Sequence, residues 1–317
     1  MKLKDLYREI VRIGIENDPR GKEYVLRLLE EQKKKYQELS EKEKKYFDRE
    51  QLKNPYSDTR ILWGKEDVDV RKILVGIDIE GGEILLADRL NDKGEKIDLV
   101  FAHHPEGGAL ANLTKVMGIQ ADLLYAVGVP PSVAESLLVE RMKEVERRLL
   151  PANHMRNVDI AKALDIPFIC AHTVADNCVT KFLTQVFQKK NPQRLQDILD
   201  ILLEFPEYQF AAEYNSGPRI LIGDKNNKAG KIYVDMTGGT EGSKDIFDKM
   251  INAGVSTLVC MHLSEEHYKK AQSAHINVII AGHIASDSLG LNLLLDEVEK
   301  KEKLEFVECS GFRRFRR

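Results

Sequence analysis

The feature that most constrains this chain is an apolar run that ends abruptly in two histidines and a proline. Residues 97–108 read IDLVFAHHPEGG. The apolar part is typical of a strand that is buried on both faces of an α/β sheet. Pro105 ends this strand because it has no N–H to give to a sheet ladder. His103 and His104 therefore lie at the carboxyl end of a strand, where open α/β sheets bind their ligands.

Three further apolar runs also end in histidine. The runs over residues 166–171 and 276–282 are each followed by a His-x-x-x-Asp pattern, and the run over 255–261 is followed by His262. Core packing explains this poorly, because an apolar strand gains nothing from a terminal imidazole. The pattern indicates either a hydrogen-bonded network at a sheet edge or a metal site. The residues of the two His-x-x-x-Asp patterns are His172 and Asp176, and His283 and Asp287.

Composition limits the function classes that are open to the chain. Hydrophobic residues make up 43% and charged residues 31%, as in ordinary globular proteins. The formal net charge of −3 argues against a nucleic-acid binder, and no apolar run approaches the roughly 20 residues of a membrane helix. The four cysteines lack C-x-x-C spacing, and the charged N-terminus is unlike a signal peptide. We therefore expect a cytoplasmic, reducing environment and no thiolate zinc site.

Sequence patterns divide the chain into three regions. Residues 1–55 are expected to form a helical extension, residues 56–190 a first α/β half, and residues 191–317 a second α/β half. The first half carries a helical insertion over 130–165, which opens with two prolines. The Glu/Lys-rich stretch 22–47 is expected to be a solvated helix face; the alternative is a helix that packs on a neighbouring subunit.

Several local structures are also predicted. Residues 72–102 have a β-α-β pattern, which favours parallel strands joined by a right-handed crossover. Residues 51–64 are expected to be a linker, and 219–236 a β-hairpin with turn residues in its centre. The glycine-rich segment 238–243 is either a tight turn or an anion site before a helix. The arginine-rich tail 312–317 is expected to be disordered or to contact a subunit, and alternatively to hold an anionic substrate.

The residue types at the strand ends indicate which metals would bind there. Imidazoles and carboxylates without thiolates suit Zn²⁺, Fe²⁺, Mn²⁺ or Ni²⁺. There are too many of them for one tetrahedral ion, and they match two ions roughly 3.5–4 Å apart with a bridging carboxylate. Such a pair turns a bridging water into a hydroxide nucleophile near neutral pH. The predicted catalytic residues, which would carry protons near the strand ends, are His172, His262 and Glu266.

Three segments in this order resemble one known family. The segments AHHP at 102–105, H-T-x-x-D at 172–176 and A-G-H-x-x-S-D at 281–287 are similar to those of the Ngg-interacting-factor family, often labelled GTP cyclohydrolase I type 2-like. The resemblance covers roughly residues 58–310. It implies two related α/β halves with mixed sheets around a central dinuclear metal site, and a toroidal homohexamer. The implied metal ligands are His103, His104, Asp176 as the bridging carboxylate, His283 and Asp287.

The resemblance also implies a function, with two departures from the family pattern. Asp287 stands where the family usually has Glu, and residues 261–267 replace a family segment that contains two adjacent histidines. The implied function is a metal-dependent hydrolase, in which a bridging hydroxide attacks a nucleotide-like or phosphorylated substrate such as GTP. The alternative is a non-enzymatic metal-binding or adaptor protein, whose ions stabilise the hexamer or pass to partners.

Overall fold

Two mixed β-sheets form the framework of the computed structural model, which describes residues 1–317. The strands are β1 Thr59–Trp63, β2 Lys72–Gly76, β3 Leu99–Ala102, β4 Phe168–Ala171, β5 Arg219–Ile222, β6 Lys231–Asp235, β7 Val255–Cys260, β8 Asn277–Ile280 and β9 Glu305–Glu308. The first sheet has the order β1-β4-β3-β2-β9, and the second has the order β5-β8-β7-β6.

The two sheets repeat the same arrangement, which confirms the prediction of two α/β halves with mixed sheets. In the first sheet β2, β3 and β4 are parallel, and β1 pairs with β4 in the antiparallel sense. In the second sheet β6, β7 and β8 are parallel, and β5 pairs with β8 in the antiparallel sense. Each half therefore presents the carboxyl ends of three parallel strands along one edge of its sheet.

Fourteen α-helices surround the sheets. They are α1 Leu3–Asn17, α2 Lys22–Glu38, α3 Glu41–Lys44, α4 Gly81–Asp92, α5 Gly107–Ala111, α6 Gly118–Ala126, α7 Pro131–Leu149, α8 Arg156–Ala163, α9 Thr173–Lys190, α10 Leu195–Leu202, α11 Pro206–Glu213, α12 Phe247–Asn252, α13 Glu265–Ser273 and α14 His283–Glu299. Short 3₁₀ helices lie at 49–52, 113–116 and 244–246. None of the helices combines the length and the apolar character that crossing a bilayer requires.

Two local predictions are wrong. The segment 51–64 is not a linker throughout, because it contains β1, in which Thr59 pairs with Ala171 of β4. The segment 219–236 is not a hairpin, because β5 and β6 lie at opposite edges of the second sheet with β8 and β7 between them. The alternation in 219–236 does mark two strands, but both strands pair with segments that come later in the chain. The sequence pattern predicts where a strand lies, but it does not determine which distant strand pairs with it.

The first two helices differ in their burial. α1 places Leu3, Leu6 and Ile10 in the largest hydrophobic core, where all three are fully buried. α2 buries only Val25 and Leu29, so its Glu/Lys-rich remainder faces solvent, as the charge pattern predicts. The N-terminal region is therefore part of the core through α1, which packs against α9 and α14.

The C-terminal segment joins the two halves. β9 comes from the range assigned to the second half, yet it pairs with β2 in the first sheet. The arginine-rich tail after it folds back onto its own chain: Arg314 pairs with Asp296 at 2.5 Å and with Glu299 at 2.7 Å, and Arg317 pairs with Glu207 at 2.6 Å. Three of the four arginines of the tail are therefore paired within the chain, whereas Arg313 lies over the ring of Phe210 without an ion pair. The alternative of an anion-binding tail stays a prediction.

The crossing of α9 and α14 determines where the strand ends of the two halves meet. These helices follow β4 and β8, which occupy equivalent places in the two sheets. At the crossing, a Cβ atom on Gly290 would lie 2.6 Å from the carbonyl oxygen of Ala175. Only a residue without a side chain allows the helices to approach this closely.

We expect Gly290→Ala to lower the free energy of unfolding by about 1–3 kcal/mol, because α14 must move away from α9 to admit the methyl group. The matched control is Gly82→Ala in α4, where a Cβ atom would meet nothing within 4 Å. Alanine favours a helix, so the control should change stability by less than about 1 kcal/mol, in the stabilising direction. Urea unfolding measures both variants, and equal effects would contradict the close helix crossing.

Candidate metal centre

Six side chains from the two halves meet where their strands end. His103 and His104 follow β3 directly, His172 lies between β4 and α9, and His283 opens α14 after β8. One turn into each helix, a carboxylate lies on the same face as the histidine, because residues four apart are neighbours on a helix. The six residues are His103, His104, His172, Asp176, His283 and Asp287.

Asp287 lies between two sets of nitrogen and oxygen atoms. Its Oδ1 lies 3.4 Å from His103 Nε2, which in turn lies 3.4 Å from Asp176 Oδ1. Its Oδ2 lies 3.5 Å from His104 Nε2 and 3.5 Å from His283 Nε2. Each oxygen of Asp287 is therefore directed at a different set of possible metal ligands.

Asp176 faces only one of these sets. Its Oδ1 lies 3.4 Å from His103 Nε2, and its Oδ2 lies 3.8 Å from His172 Nε2. No ion-pair contact joins it to His104, which belongs to the other set. The family resemblance implies that Asp176 is the bridging carboxylate. That role stays a prediction, and Asp287 is the carboxylate that faces both sets.

Three of the imidazoles are oriented by hydrogen bonds from Nδ1 to oxygen atoms outside the cluster. The acceptors are the Ala171 carbonyl for His103 at 3.2 Å, Asp78 for His104 at 2.6 Å and Asp58 for His172 at 2.9 Å. Thr173 also donates to Asp58, at 2.6 Å. A ring that donates from Nδ1 presents Nε2 as the metal-binding atom, and such outer hydrogen bonds accompany histidine ligands in metalloproteins.

The centre of the cluster contains buried polar atoms that have no hydrogen-bond partner. These atoms are His103 Nε2, Asp176 Oδ1, Asp287 Oδ1 and Asp287 Oδ2. A buried polar atom without a partner costs about 1–3 kcal/mol, and the side chains of His103 and Asp287 are each only 1% exposed. Divalent cations would satisfy all four atoms, and imidazole and carboxylate donors suit first-row metals. The cluster could therefore hold metal ions.

The charges of the cluster shift the pKa values of its members. Burial lowers the pKa of His103, but the charge of Asp287 and the neighbouring carboxylates outweigh it and raise this pKa to about 10. The pKa of His104 is raised for the same reasons, whereas burial lowers the pKa of His283. Burial acts to raise the pKa of Asp287, but the neighbouring imidazoles hold it well below its usual range, and His103 has the largest effect among them. At neutral pH the metal-free cluster therefore carries protons on imidazoles that face carboxylates.

A cavity of about 990 Å³, its mouth included, adjoins the cluster on the side of the second half. It reaches His172, Asp176, His283 and Asp287 at one end. Apolar side chains of α6 and α7 form one wall, so the helix that opens the predicted insertion covers the cavity. The opposite wall comes from β6, β7 and the loops that follow them.

Two carboxyl groups line this cavity in addition to Asp176 and Asp287. Burial acts to raise the pKa of Glu241. The neighbouring His262 and His267 and a hydrogen bond of 2.7 Å from the Ser264 N–H have a larger, opposite effect, and they hold this pKa at about 2. The side chain of Asp235, at the end of β6, makes no hydrogen bond within the protein, and burial followed by the charge of Glu241 raises its pKa to about 6. Asp235 is therefore an acceptor without a donor.

The structure brings two of the three predicted catalytic residues to the site. His172 lies within the cluster itself, and the half-exposed His262 lies at the cavity edge with its ring centroid 4.8 Å from that of His283. Glu266 lies outside the site: it is exposed, it pairs with Lys244 at 2.6 Å, and it does not line the cavity. The structure therefore does not bring Glu266 to the cluster, and its role as a proton carrier stays a prediction.

Four acidic residues that shape the site escaped the sequence analysis. Asp78 and Asp235 come at or just after the ends of β2 and β6, so the signal that revealed the histidines could have revealed them too. Asp58 precedes β1 within the presumed linker, and no local pattern marks it. Glu241 lies in a glycine-rich loop, and its approach to His262 and His267 depends on how distant segments pack.

The glycine-rich segment 238–243 forms a tight turn, which is one of the two structures expected for it. Gln120 donates to the carbonyl oxygens of Gly238 at 2.8 Å and Thr240 at 2.6 Å. Glu241 adds a carboxylate to the same loop. Carbonyl and carboxylate oxygens repel an anion, so this loop is not the anion site that was the other expectation.

Solved structures provide a comparison for the whole arrangement. A NIF3 superfamily protein from Sphaerobacter thermophilus is similar with a TM-score of 0.70 and 28% sequence identity, over 80% of this chain and 91% of that chain. Reduced HcgD from Methanocaldococcus jannaschii is similar in fold with a TM-score of 0.50 and 15% identity, over 80% of this chain and 88% of that chain. No protein-family model and no curated protein matches the sequence.

We expect the binding of Zn²⁺ to release protons at neutral pH. His103, with its pKa raised to about 10, carries a proton that the cation must displace, so affinity should rise as the pH increases from about 6 to about 8. Calorimetric titration in two buffers of different ionisation enthalpy measures the protons released. The control is His275→Asn, an exposed histidine with φ of 59°, a conformation that asparagine tolerates. An affinity that does not depend on pH would contradict the prediction.

Proposed function

We propose that this chain, which has the fold of the Ngg1-interacting-factor-3 (NIF3) superfamily, is a divalent-metal-dependent hydrolase with a dinuclear centre. The observation that carries this proposal is the position of Asp287. One of its oxygens is directed at His103, the other at His104 and His283, and neither oxygen has a hydrogen-bond partner. Two cations that share a carboxylate are a common centre for hydrolysis.

The ligands divide into two sets that share Asp287. The first set is His103, His172 and Asp176, and the second is His104 and His283. Asp58 and Asp78 hold two of these rings by Nδ1 and so keep Nε2 directed inward. The donor types favour Zn²⁺, Fe²⁺, Mn²⁺ or Ni²⁺. Bound there, such cations would supply a Lewis acid and an activated water.

His262 is the candidate proton carrier of the proposed reaction. It is half exposed at the cavity edge, and its Nδ1 lies 3.4 Å from Glu241 Oε1. The contact with Glu241 raises the pKa of His262 against the effect of burial. A histidine whose pKa is raised is protonated over more of the neutral range, which suits donation to a leaving group.

Assembly and location stay predictions. The family resemblance implies a homohexamer, and analytical ultracentrifugation of the full chain would measure the assembly. All four cysteines are free, as the expectation of a cytoplasmic, reducing environment requires.

We expect Asp287→Asn to weaken the binding of both cations at least about ten-fold, because the variant replaces the one oxygen pair that faces both ligand sets. Asp176→Asn, a matched change of the same type, should remove one cation and leave the second, since Asp176 faces only the set with His103. Elemental analysis after dialysis measures the metal content per chain, and circular dichroism checks that each variant is folded. Equal loss in the two variants would contradict the bridging position of Asp287.

The proposed activity is tested on the metal-loaded protein. Protein loaded separately with zinc, iron, manganese or nickel should hydrolyse at least one member of a panel of amides, amidines, esters and phosphoesters, and His104→Ala should remove that activity. Release of product is followed by chromatography. If no metal gives turnover, the hydrolase proposal fails, and the non-enzymatic metal-binding or adaptor protein becomes the better interpretation.

A further inference from the structure

The cavity beside the metal cluster has no lysine or arginine in its walls, and its only basic side chains are the histidines His172, His262, His267 and His283. Asp235 and Glu241 are both among its lining residues. The remaining wall is largely apolar. Its main apolar residues are Leu124, Leu137, Leu138, Ile246, Phe247 and Met250.

Arg141 and Lys244, which lie beside the loop that carries Glu241, are already engaged elsewhere. Arg141 donates to the carbonyl oxygen of Glu241 at 3.0 Å and to the carboxylate of Glu144 at 2.8 Å. Lys244 pairs with Glu266 at 2.6 Å on the outer surface. Neither is free to bind the phosphate groups of a ligand, which proteins usually hold with arginine, lysine or clustered N–H groups.

Asp235 and Glu241 instead form an accepting surface inside the cavity. Asp235 has no donor from the protein, although it lies at the end of a strand where ligands of α/β sheets bind. Glu241 is fixed by the Ser264 N–H at 2.7 Å and by His262, with 3.4 Å between Nδ1 and Oε1. A polar group that has no hydrogen-bond partner in an apolar pocket indicates which group the ligand must supply. For these carboxylates the ligand must supply an N–H donor.

We propose that the substrate is an uncharged or cationic nitrogen-containing organic molecule, whose amide, amine or amidine N–H groups are bound by Asp235 and Glu241. This inference rests on the proposed function, because the metal cluster is then the reacting end of the same cavity. The apolar wall binds the carbon skeleton of the molecule. The family resemblance instead implies a nucleotide-like or phosphorylated substrate.

The reaction that this substrate class allows is hydrolysis of a carbon–nitrogen bond. The oxygen of water forms a bond to the carbon while the carbon–nitrogen bond breaks. The leaving nitrogen keeps the electron pair of that bond and takes a proton, which His262 at the cavity edge is placed to donate. The reaction needs no oxidant or reductant.

Two aromatic probes of equal ring size test the inference by calorimetric titration of the full chain. Benzamidine carries a cationic N–H group, and phenyl phosphate carries an anion on the same ring. We expect benzamidine to bind at least about ten-fold more tightly than phenyl phosphate in the metal-free protein. Asp235→Asn and Glu241→Gln should each weaken benzamidine about ten-fold without changing the metal content. The control is Glu265→Gln, an exposed glutamate that pairs with Lys269, and it should bind benzamidine like the unmodified chain.

The outcomes separate this inference from the hydrolase proposal. Phenyl phosphate that binds as tightly as benzamidine overturns the inference, and so does benzamidine binding that neither carboxyl variant weakens. If the cluster takes up no metal, the hydrolase proposal fails, but a metal-free chain that prefers benzamidine still supports the inference. If Asp235→Asn does not fold, as judged by circular dichroism, Glu241→Gln and the ratio of the two probe affinities decide the outcome.

Discussion

A buried carboxylate without a hydrogen-bond partner is the constraint around which the rest of the structure is arranged. Asp287 is 1% exposed and faces imidazoles on both sides. Burying an unpaired charge is costly, and proteins keep such a group where a cation or a proton balances it. In this chain the pKa of His103, raised to about 10, lets a proton on that ring provide the balance when no metal is bound, and metal ions would provide it in turn. The close crossing of α9 and α14 at Gly290, one turn beyond Asp287, holds Asp176 and Asp287 near each other.

The repetition of the two halves explains how the cluster and the cavity come to lie side by side. β4 and β8 occupy equivalent places in the two sheets. Each leads into a helix that has a histidine at or just before its first residue and a carboxylate four residues after that histidine. β3 and β7 are also equivalent, but β3 is followed by two histidines, whereas β7 is followed by Met261 and His262. The first half therefore supplies four of the six residues of the cluster. The second half uses the equivalent strand ends to line the cavity, with Asp235 after β6 as its unpaired acceptor.

Much of this arrangement could be predicted from the sequence because it depends on local patterns. Apolar runs that stop at His103, His172 and His283 mark strand ends, and parallel strands bring their ends to one edge of a sheet. What depends on distant packing could not be predicted. Nothing near Asp58 indicates that β1 forms beside it and directs it at His172, and the pattern of 219–236 does not reveal that its two strands lie at opposite edges. That Asp287 and not Asp176 faces imidazoles of both sets depends on the orientation of single carboxylate oxygens, which spacing along the chain does not determine.

The measurement that tests the central claim most directly is anomalous X-ray diffraction from crystals of the full chain soaked in zinc. The account predicts two anomalous peaks per chain, roughly 3.5–4 Å apart, with one oxygen of Asp287 next to each peak, His103 and Asp176 beside the first, and His104 and His283 beside the second. Two peaks on either side of Asp176, one peak alone, or no peak at these residues would contradict it.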